Sequence, residues 1–498
     1  MKAQRSPSIV MLAAEASPLA KAGGLGDVIS ALPKALDQLG VHVSVVIPAY
    51  RTIRTSGAVI RPCESVKGFE VAMASSVEPA EVLHTRMDGT PVDVFLIGSR
   101  KYFDRDSIYN DSDTGEGYPD NMERFIFFMK SSIELLTRLG ERVDVVHCHD
   151  SHTALVPAMI KLNYQGHPFF SKVGTLFTIH NLAYQGIYPK EALALAGIAP
   201  SHFYPQSPLE YWGQVNFMKA GIAFADKVNT VSRTYALEIL NDPEFGFGLE
   251  GVLQSRAADV SGIVNGIDYG EWNPETDPRI AARYSSRDMS GKRQCKEDLQ
   301  SRFRLPVAGA IPLVGMVSRM VDQKGFDLLE EAMGSLMALD LQLVILGTGQ
   351  QKYHDSFQQI ASRYPGKIGL ELSFDNELAH KIEAGCDMFL MPSKYEPCGL
   401  NQLYSLRYGT VPVVRKTGGL ADTVIPYDHE SGTGTGFSFL QYSVEAMMAA
   451  IRQALQVYSD TGAWNALVLR AMSQDWSWSR SASQYRKLYQ DIRANKHS

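Results

Sequence analysis

Cysteine is scarce: only Cys63, Cys148, Cys295, Cys386 and Cys398 occur, an odd number with no C-x-x-C spacing. That excludes a disulfide framework and a structural zinc site, and it fits the reducing cytoplasm. Runs of about 18 consecutive apolar residues, the least that crosses a bilayer as a helix, are missing too. The opening Met1-Lys-Ala-Gln-Arg-Ser-Pro-Ser leads into Ile9–Ala14, an apolar stretch cut short by Glu15, which predicts a first strand rather than a secretion signal. No lysine or arginine run interrupts the formal charge of -6, so the phosphate-neutralising footprint of a nucleic-acid binder is absent.

What is present is an ordinary globular composition, 45% hydrophobic and 20% charged. A chain of 498 residues exceeds the size, about 250–300 residues, at which one core stops growing, so two domains are expected. Short apolar runs alternate with helical patterns, the trace of buried parallel strands joined by crossover helices. The runs predict strands at Ile9–Ala14, Val43–Ile47, Val92–Ile97, Val143–His147, Thr175–Ile179 and Val228–Val231 in the first half. In the second half they predict Gly262–Val264, Pro312–Val317, Leu341–Leu346, Gly369–Leu372, Met388–Met391 and Val411–Val414. The fold class is therefore α/β, with two Rossmann-like doubly wound domains, 1–260 and 261–476, facing a central cleft. Residues 270–310 read as a polar surface excursion. Residues 477–498 read as a helix packing back on the first domain, with Trp476 and Trp478 as apolar anchors.

Two segments echo each other: Lys21-Ala-Gly23-Gly24-Leu-Gly-Asp27-Val and Lys416-Thr417-Gly418-Gly419-Leu-Ala-Asp-Thr-Val. Each is expected to follow a strand and open a helix, where paired glycines let backbone N–H groups approach an anion. The plainer alternative is that such glycines only permit a tight turn. Glu396-Pro-Cys398-Gly399-Leu400-Asn401 follows a buried strand and combines a carboxylate with a helix start. Arg319 and Lys324, in the loop after another strand, supply cations for a leaving diphosphate. His180 and Asp150 end two further strands. The run His147-Cys-His149-Asp150-Ser-His152 invites a metal, but its spacing matches no metal motif and no metal is expected. Asp104-Arg-Asp106 and Asp111-Ser-Asp113 lie in a polar loop and read as solvated acids. A nicotinamide enzyme is disfavoured because no G-x-G-x-x-G follows the first strand.

Together these segments, with Tyr118-Pro-Asp-Asn, Thr178-Ile-His180-Asn-Leu-Ala-Tyr-Gln-Gly and Val264-Asn265-Gly-Ile-Asp, resemble the bacterial glycogen synthase and plant starch synthase family from about Ile9 to about Tyr485. The resemblance implies a B-type glycosyltransferase fold and transfer of glucose from ADP-glucose to an α-1,4-glucan (glycogen, starch or maltooligosaccharide), without a cofactor, with retention of configuration. By that resemblance Lys21, Gly23 and Gly24 lie beside the donor phosphates and acceptor, while Arg319 and Lys324 hold the departing diphosphate. Glu396, His180 and Asp150 position the glucose and Asn265 lies near it. Glu15, Asp27, Tyr118, Cys398, Gly399, Leu400, Asn401, Thr417, Gly418 and Gly419 complete the substrate contacts. Phe374, tyrosine in many relatives, lies against adenine and keeps the stacking face without the hydroxyl. Asn401 stands where a small residue such as threonine is commoner, so phosphate contact there relies on backbone. Attack is expected on the donor's front face, with a covalent intermediate on Glu396 or Asp150 as the alternative. A non-catalytic glucan binder is the other rival reading; under either, Tyr102, Phe103 and Tyr118 are expected to be exposed and to stack on sugars.

Overall fold

The computed structural model describes residues 6–112 and 114–497, of His497 only the backbone. Met1–Arg5 and Asp113 of the Asp111-Ser-Asp113 pair lie outside the described residues. The chain divides into two compact units: Met1–Val231, Ala236–Gly266 and Trp478–Ser498 form one, Ser232–Tyr235 and Ile267–Ser477 the other.

The first unit is built on a sheet of ten strands. Seven are parallel, in the order Val260–Gly262, Lys227–Thr230, Gly174–Ile179, Val145–His149, Ser8–Leu12, His42–Pro48, Asp93–Gly98. The central ones are buried on both faces, which is why they read as continuous apolar runs. The remaining strands, Arg61–Pro62, Gly68–Met73 and Ser76–Arg86, are antiparallel and extend the sheet beyond Asp93–Gly98. Sequence reading missed them because Gly68–Met73 and Ser76–Arg86 mix buried and exposed residues instead of forming apolar runs, and Arg61–Pro62 is short and exposed. It also placed the strand near Gly262 in the second domain, whereas Val260–Gly262 pairs with Lys227–Thr230 and closes the first sheet. A small antiparallel sheet of Ile187–Tyr188, Glu210–Tyr211 and Gln214–Asn216 stands apart. The helix Trp478–His497 packs against the helix Gly24–Gln38 and the strand Gly174–Ile179, with Trp478 buried.

The second unit carries six strands, all parallel, in the order Ile368–Glu371, Gln342–Leu346, Leu313–Val317, Met388–Met391, Val411–Arg415, Phe437–Phe439. Its core includes Leu313, Val344, Ile382, Phe389, Val414 and Leu420. Residues 270–310 are not a surface excursion. They contain the helix Ser290–Arg302, which packs on the helix Asn376–Gly385 through Cys295 and Leu299. The Trp272 ring stacks on His380 and on Tyr404, 3.7 Å between centroids in each case. The segment looks polar because its buried face includes Lys296, whose ammonium donates to Gly309 and Ile311 carbonyls and to Asp387. Among the described residues no helix is long and apolar enough to cross a membrane.

Candidate active site

In the first unit the adjacent parallel strands Val145–His149 and Gly174–Ile179 end side by side, which brings Asp150 and His180 together. Asp150 adopts φ +56°, a backbone conformation that L side chains rarely accept. Its Oδ1 accepts the His180 backbone N–H at 2.7 Å. Burial pushes the Asp150 carboxyl up to about 7, against the lowering effect of the His180 and Asn181 amides. Burial likewise drives the His180 imidazole down to about 3, so its ring is neutral near pH 7.

Behind this pair His147 and His149 of the histidine run enter a set of buried hydrogen bonds. His147 Nε2 lies 2.6 Å from Thr178 Oγ1 and Nδ1 lies 2.8 Å from the Tyr489 hydroxyl. Thr178 donates its hydroxyl proton to Asn229, so it accepts from His147 Nε2–H, and Tyr489 donates to Nδ1. The His149 ring lies against that of His147, centroids 3.9 Å apart and tilted by 40°, and presents Nδ1 to His180 Nε2 at 3.0 Å. His149 Nε2 is buried with no hydrogen-bond partner among the described residues. A buried orphan N–H is rarer than an under-used acceptor, so the His149 proton sits on Nδ1 and is donated to His180. The neutral His180 ring then carries its own proton on Nδ1, as a donor. Nothing local in the sequence announces Tyr489, which is 342 residues from His147.

At the Lys21 turn, Glu15 Oε2 accepts the N–H groups of Ala22 (2.7 Å) and Gly23 (2.8 Å), and Oε1 accepts the Tyr109 hydroxyl at 2.6 Å. The amides that sequence reading left open for an anion are therefore filled at Ala22 and Gly23 by the protein's own carboxylate. Tyr109 was missed, lying in a loop with no pattern. Lys21, with Gly23 and Gly24 exposed beside it, pairs through Nζ with Asp27 at 2.6 Å. Asn265 is buried, and its amide oxygen has no partner among the described residues. The aromatic expectation is corrected: Tyr102, Phe103 and Tyr118 are all buried. The guanidiniums of Arg105 and Arg124 lie over the Tyr118 ring, 4.7 and 4.8 Å from its centroid, so the buried ring is already engaged by the protein's own cations. Asp104 and Asp106 are not simply solvated; Arg51 bridges them at 2.9 and 2.5 Å.

In the second unit the strand Leu313–Val317 leads through exposed Arg319 to the turn Asp322–Lys324. Lys324 Nζ stands 2.5 Å from Glu396 Oε2, which also accepts the Ser393 hydroxyl at 3.1 Å, and Glu396 is only 5% exposed. Gly418, at φ +44°, lies so close that a Cβ there would stand 2.0 Å from the Glu396 carbonyl oxygen. The Gly419 N–H donates to that same oxygen at 3.0 Å. The glycine pair thus serves close backbone approach, and its Gly419 amide is internally satisfied. Thr417 and Cys398 are buried beside it. Gly399 (φ +70°) and Leu400 lead into the helix Asn401–Tyr408, which has no side-chain N-cap. Asn401 uses its amide nitrogen on the Val317 carbonyl at 2.5 Å, tying the helix start to the strand end. Phe374 is 84% exposed and open to a stacking partner.

Residues 8–255 match the starch synthase catalytic domain family, and residues 299–461 match the glycosyl transferases group 1 family. A glycogen synthase of Geotalea daltonii is 46% identical over 488 residues, covering 98% of this chain and 99% of its own. One of Desulforudis audaxviator is 45% identical over 500 residues, 98% of this chain and 97% of its own. The catalytic domain of starch synthase IV from Arabidopsis thaliana, solved bound to ADP and acarbose, has a TM-score of 0.89 at 32% identity, covering 98% of this chain and 100% of that one. Sucrose-phosphate synthase from Thermosynechococcus elongatus, at 16% identity and a TM-score of 0.59 over 98% and 100% of the two chains, shares the fold alone. With two parallel-sheet units of the B-type glycosyltransferase fold and relatives alike along nearly its whole length, the chain belongs to the glycogen synthase and starch synthase family of glycosyltransferases.

Proposed function

We propose that this glycosyltransferase moves glucose from ADP-glucose to the non-reducing 4-hydroxyl of an α-1,4-glucan, with retention of configuration and release of ADP, as a cytoplasmic step of glycogen or starch synthesis. The observation that carries the reading is the ion pair of half-buried Lys324 with buried Glu396 beside an uncapped helix start. As the glycosidic bond breaks, negative charge grows on the leaving diphosphate. Lys324, held by Glu396, and the amides that open Asn401–Tyr408 are fixed positive groups that meet it without rearranging, and exposed Arg319 adds a further cation. No metal is required in this scheme, because the chain supplies the countercharge. Glu396 holds Lys324 in place and faces the sugar, whose anomeric carbon gains positive character.

Asp150 and His180 position the glucose: the carboxylate fixes the His180 backbone, and the His180 Nδ1–H is a donor for a sugar hydroxyl. Lys21 and Asn265 add contacts to the phosphates and sugar, and Phe374 offers its ring to adenine. Attack from the front face, with the leaving phosphate taking the acceptor's proton, gives retention without a covalent enzyme intermediate. Turnover on glycogen measured side by side with ADP-glucose and UDP-glucose, with and without EDTA, tests the reading. ADP-glucose is expected to be the faster donor and EDTA to have no effect; a faster UDP-glucose reaction or loss of activity in EDTA overturns the corresponding part.

A further inference from the structure

Trp212 is 87% exposed, at the tip of the hairpin formed by Glu210–Tyr211 and Gln214–Asn216. Leaving so large an apolar surface in water is costly, and its φ of +51° adds backbone strain. A second non-glycine residue with positive φ, Gln206 (φ +66°), lies in the preceding turn, which carries Tyr204, 57% exposed. One carboxylate clamps both loops: Glu210 Oε1 accepts the Gly213 N–H at 2.7 Å and Oε2 accepts the Gln206 N–H at 3.0 Å. Lys219 Nζ reinforces the clamp on the carbonyls of Ser207 (3.0 Å) and Glu210 (2.5 Å). Two exposed aromatic rings are therefore held on one rigid mount, with its charged groups already engaged.

The mount is anchored in the wall of the Asp150–His180 site. The strand Gln214–Asn216 runs into Phe217, whose N–H donates to the Gly186 carbonyl at 3.0 Å. A Cβ at Gly186 would stand 3.0 Å from Cβ of Ser151, the residue after Asp150. Trp212 precedes Phe217 by five positions, three of them the strand Gln214–Asn216, so at about 3.3 Å per residue the tip lies at most roughly 16 Å from that anchor. Two aromatic side chains bury about 150–250 Å² each, well short of the ~800 Å² per partner of a stable protein interface. That area suits a few sugar rings, whose C–H faces pack on aromatic faces and need no countercharge.

We propose that Trp212 and Tyr204 form a platform that binds the α-glucan acceptor chain outside the catalytic site; the inference rests on the reading above that the acceptor is an α-glucan. The test uses full-length enzyme carrying Trp212→Ala, Trp212→Phe, or Trp212→Ala with Tyr204→Ala. Glycogen binding is measured without donor by affinity electrophoresis, and KM and kcat are measured with glycogen and with maltotriose. Expected are a roughly tenfold weaker glycogen affinity and higher glycogen KM in Trp212→Ala, retention in Trp212→Phe, and unchanged kcat on maltotriose. Unchanged glycogen binding in the double variant overturns the platform. So does a sedimenting species that is smaller for Trp212→Ala than for wild type, which would make the face a contact between copies. Trp212-dependent glycogen binding by a wild-type enzyme that transfers no glucose would retain the platform and instead overturn the proposed reaction.

Discussion

Nδ1 of His149 faces Nε2 of His180 across 3.0 Å, so a fully buried ring sets the proton of the ring beside the candidate sugar site. His149→Ala removes that donor and frees His180 to take the other tautomer. Expected is a fall in kcat of about tenfold or more, of the size seen when residues that orient catalytic ligands are removed, with donor KM nearly unchanged. Steady-state kinetics with the thermal melt as a folding control check it. Tyr489→Phe acts one step further back and is expected to cost about 1–3 kcal/mol locally, read as faster hydrogen exchange of Val145–His149.

Glu396→Ala is expected to lower turnover by about 10²–10³ while ADP binding stays nearly intact, because Lys324 remains to meet the diphosphate. Lys324→Ala should weaken ADP binding as well as turnover, leaving Glu396 buried without its cation. Calorimetric ADP titration beside kcat separates the two; equal loss of both quantities in Glu396→Ala contradicts the assigned role.

Asp150 gives a pH signature. Its folded pKa of about 7 lies above the ordinary aspartate value of about 3.9, so between those values the folded protein holds a proton that the unfolded chain releases. Its contribution to stability therefore falls as pH rises from 4 to 7, by at most about 1.4 kcal/mol per unit. Asp150→Asn should gain stability relative to wild type across that window in denaturant titrations. If the carboxylate form is the active one, wild-type kcat/KM drops below pH 7, and this limb is missing from the residual activity of Asp150→Asn.

Gly418→Ala is expected to abolish detectable turnover and lower the melting temperature by several degrees. The new methyl would need space held by the Glu396 carbonyl, at a φ of +44° that alanine adopts at a cost of about 1–2 kcal/mol. Wild-type-like activity would show that the Glu396 backbone can move without consequence.

Buried strands were legible in the sequence wherever both faces are covered, because such strands read as unbroken apolar runs; Met388–Met391 is the clearest case. The amphipathic pair Gly68–Met73 and Ser76–Arg86 was hidden by its alternation, and the helix Ser290–Arg302 by a narrow buried face that includes Lys296. At the candidate site, residues in strand-end motifs such as Asp150, His180, Lys324 and Glu396 could be found from their position alone. Their supports could not. Glu15 on the Lys21 turn and Asn401 on Val317 satisfy backbone groups across loops, and Tyr489 reaches His147 from the far end of the chain. The burial of Tyr118 was equally invisible, since two arginines, Arg105 and Arg124, lie over its ring.

The helix Trp478–His497 completes the first unit although the whole second unit is synthesised before it. Tyr485 and Tyr489, which bond Asn229 and His147 inside the first sheet, therefore emerge from the ribosome last. Until they do, the growing chain carries an N-terminal sheet with unmet polar groups while the second unit is free to fold. A nascent chain stalled just short of Trp478 should be protease-resistant in its later-made half and sensitive in its earlier-made one, the reverse of the usual order of maturation.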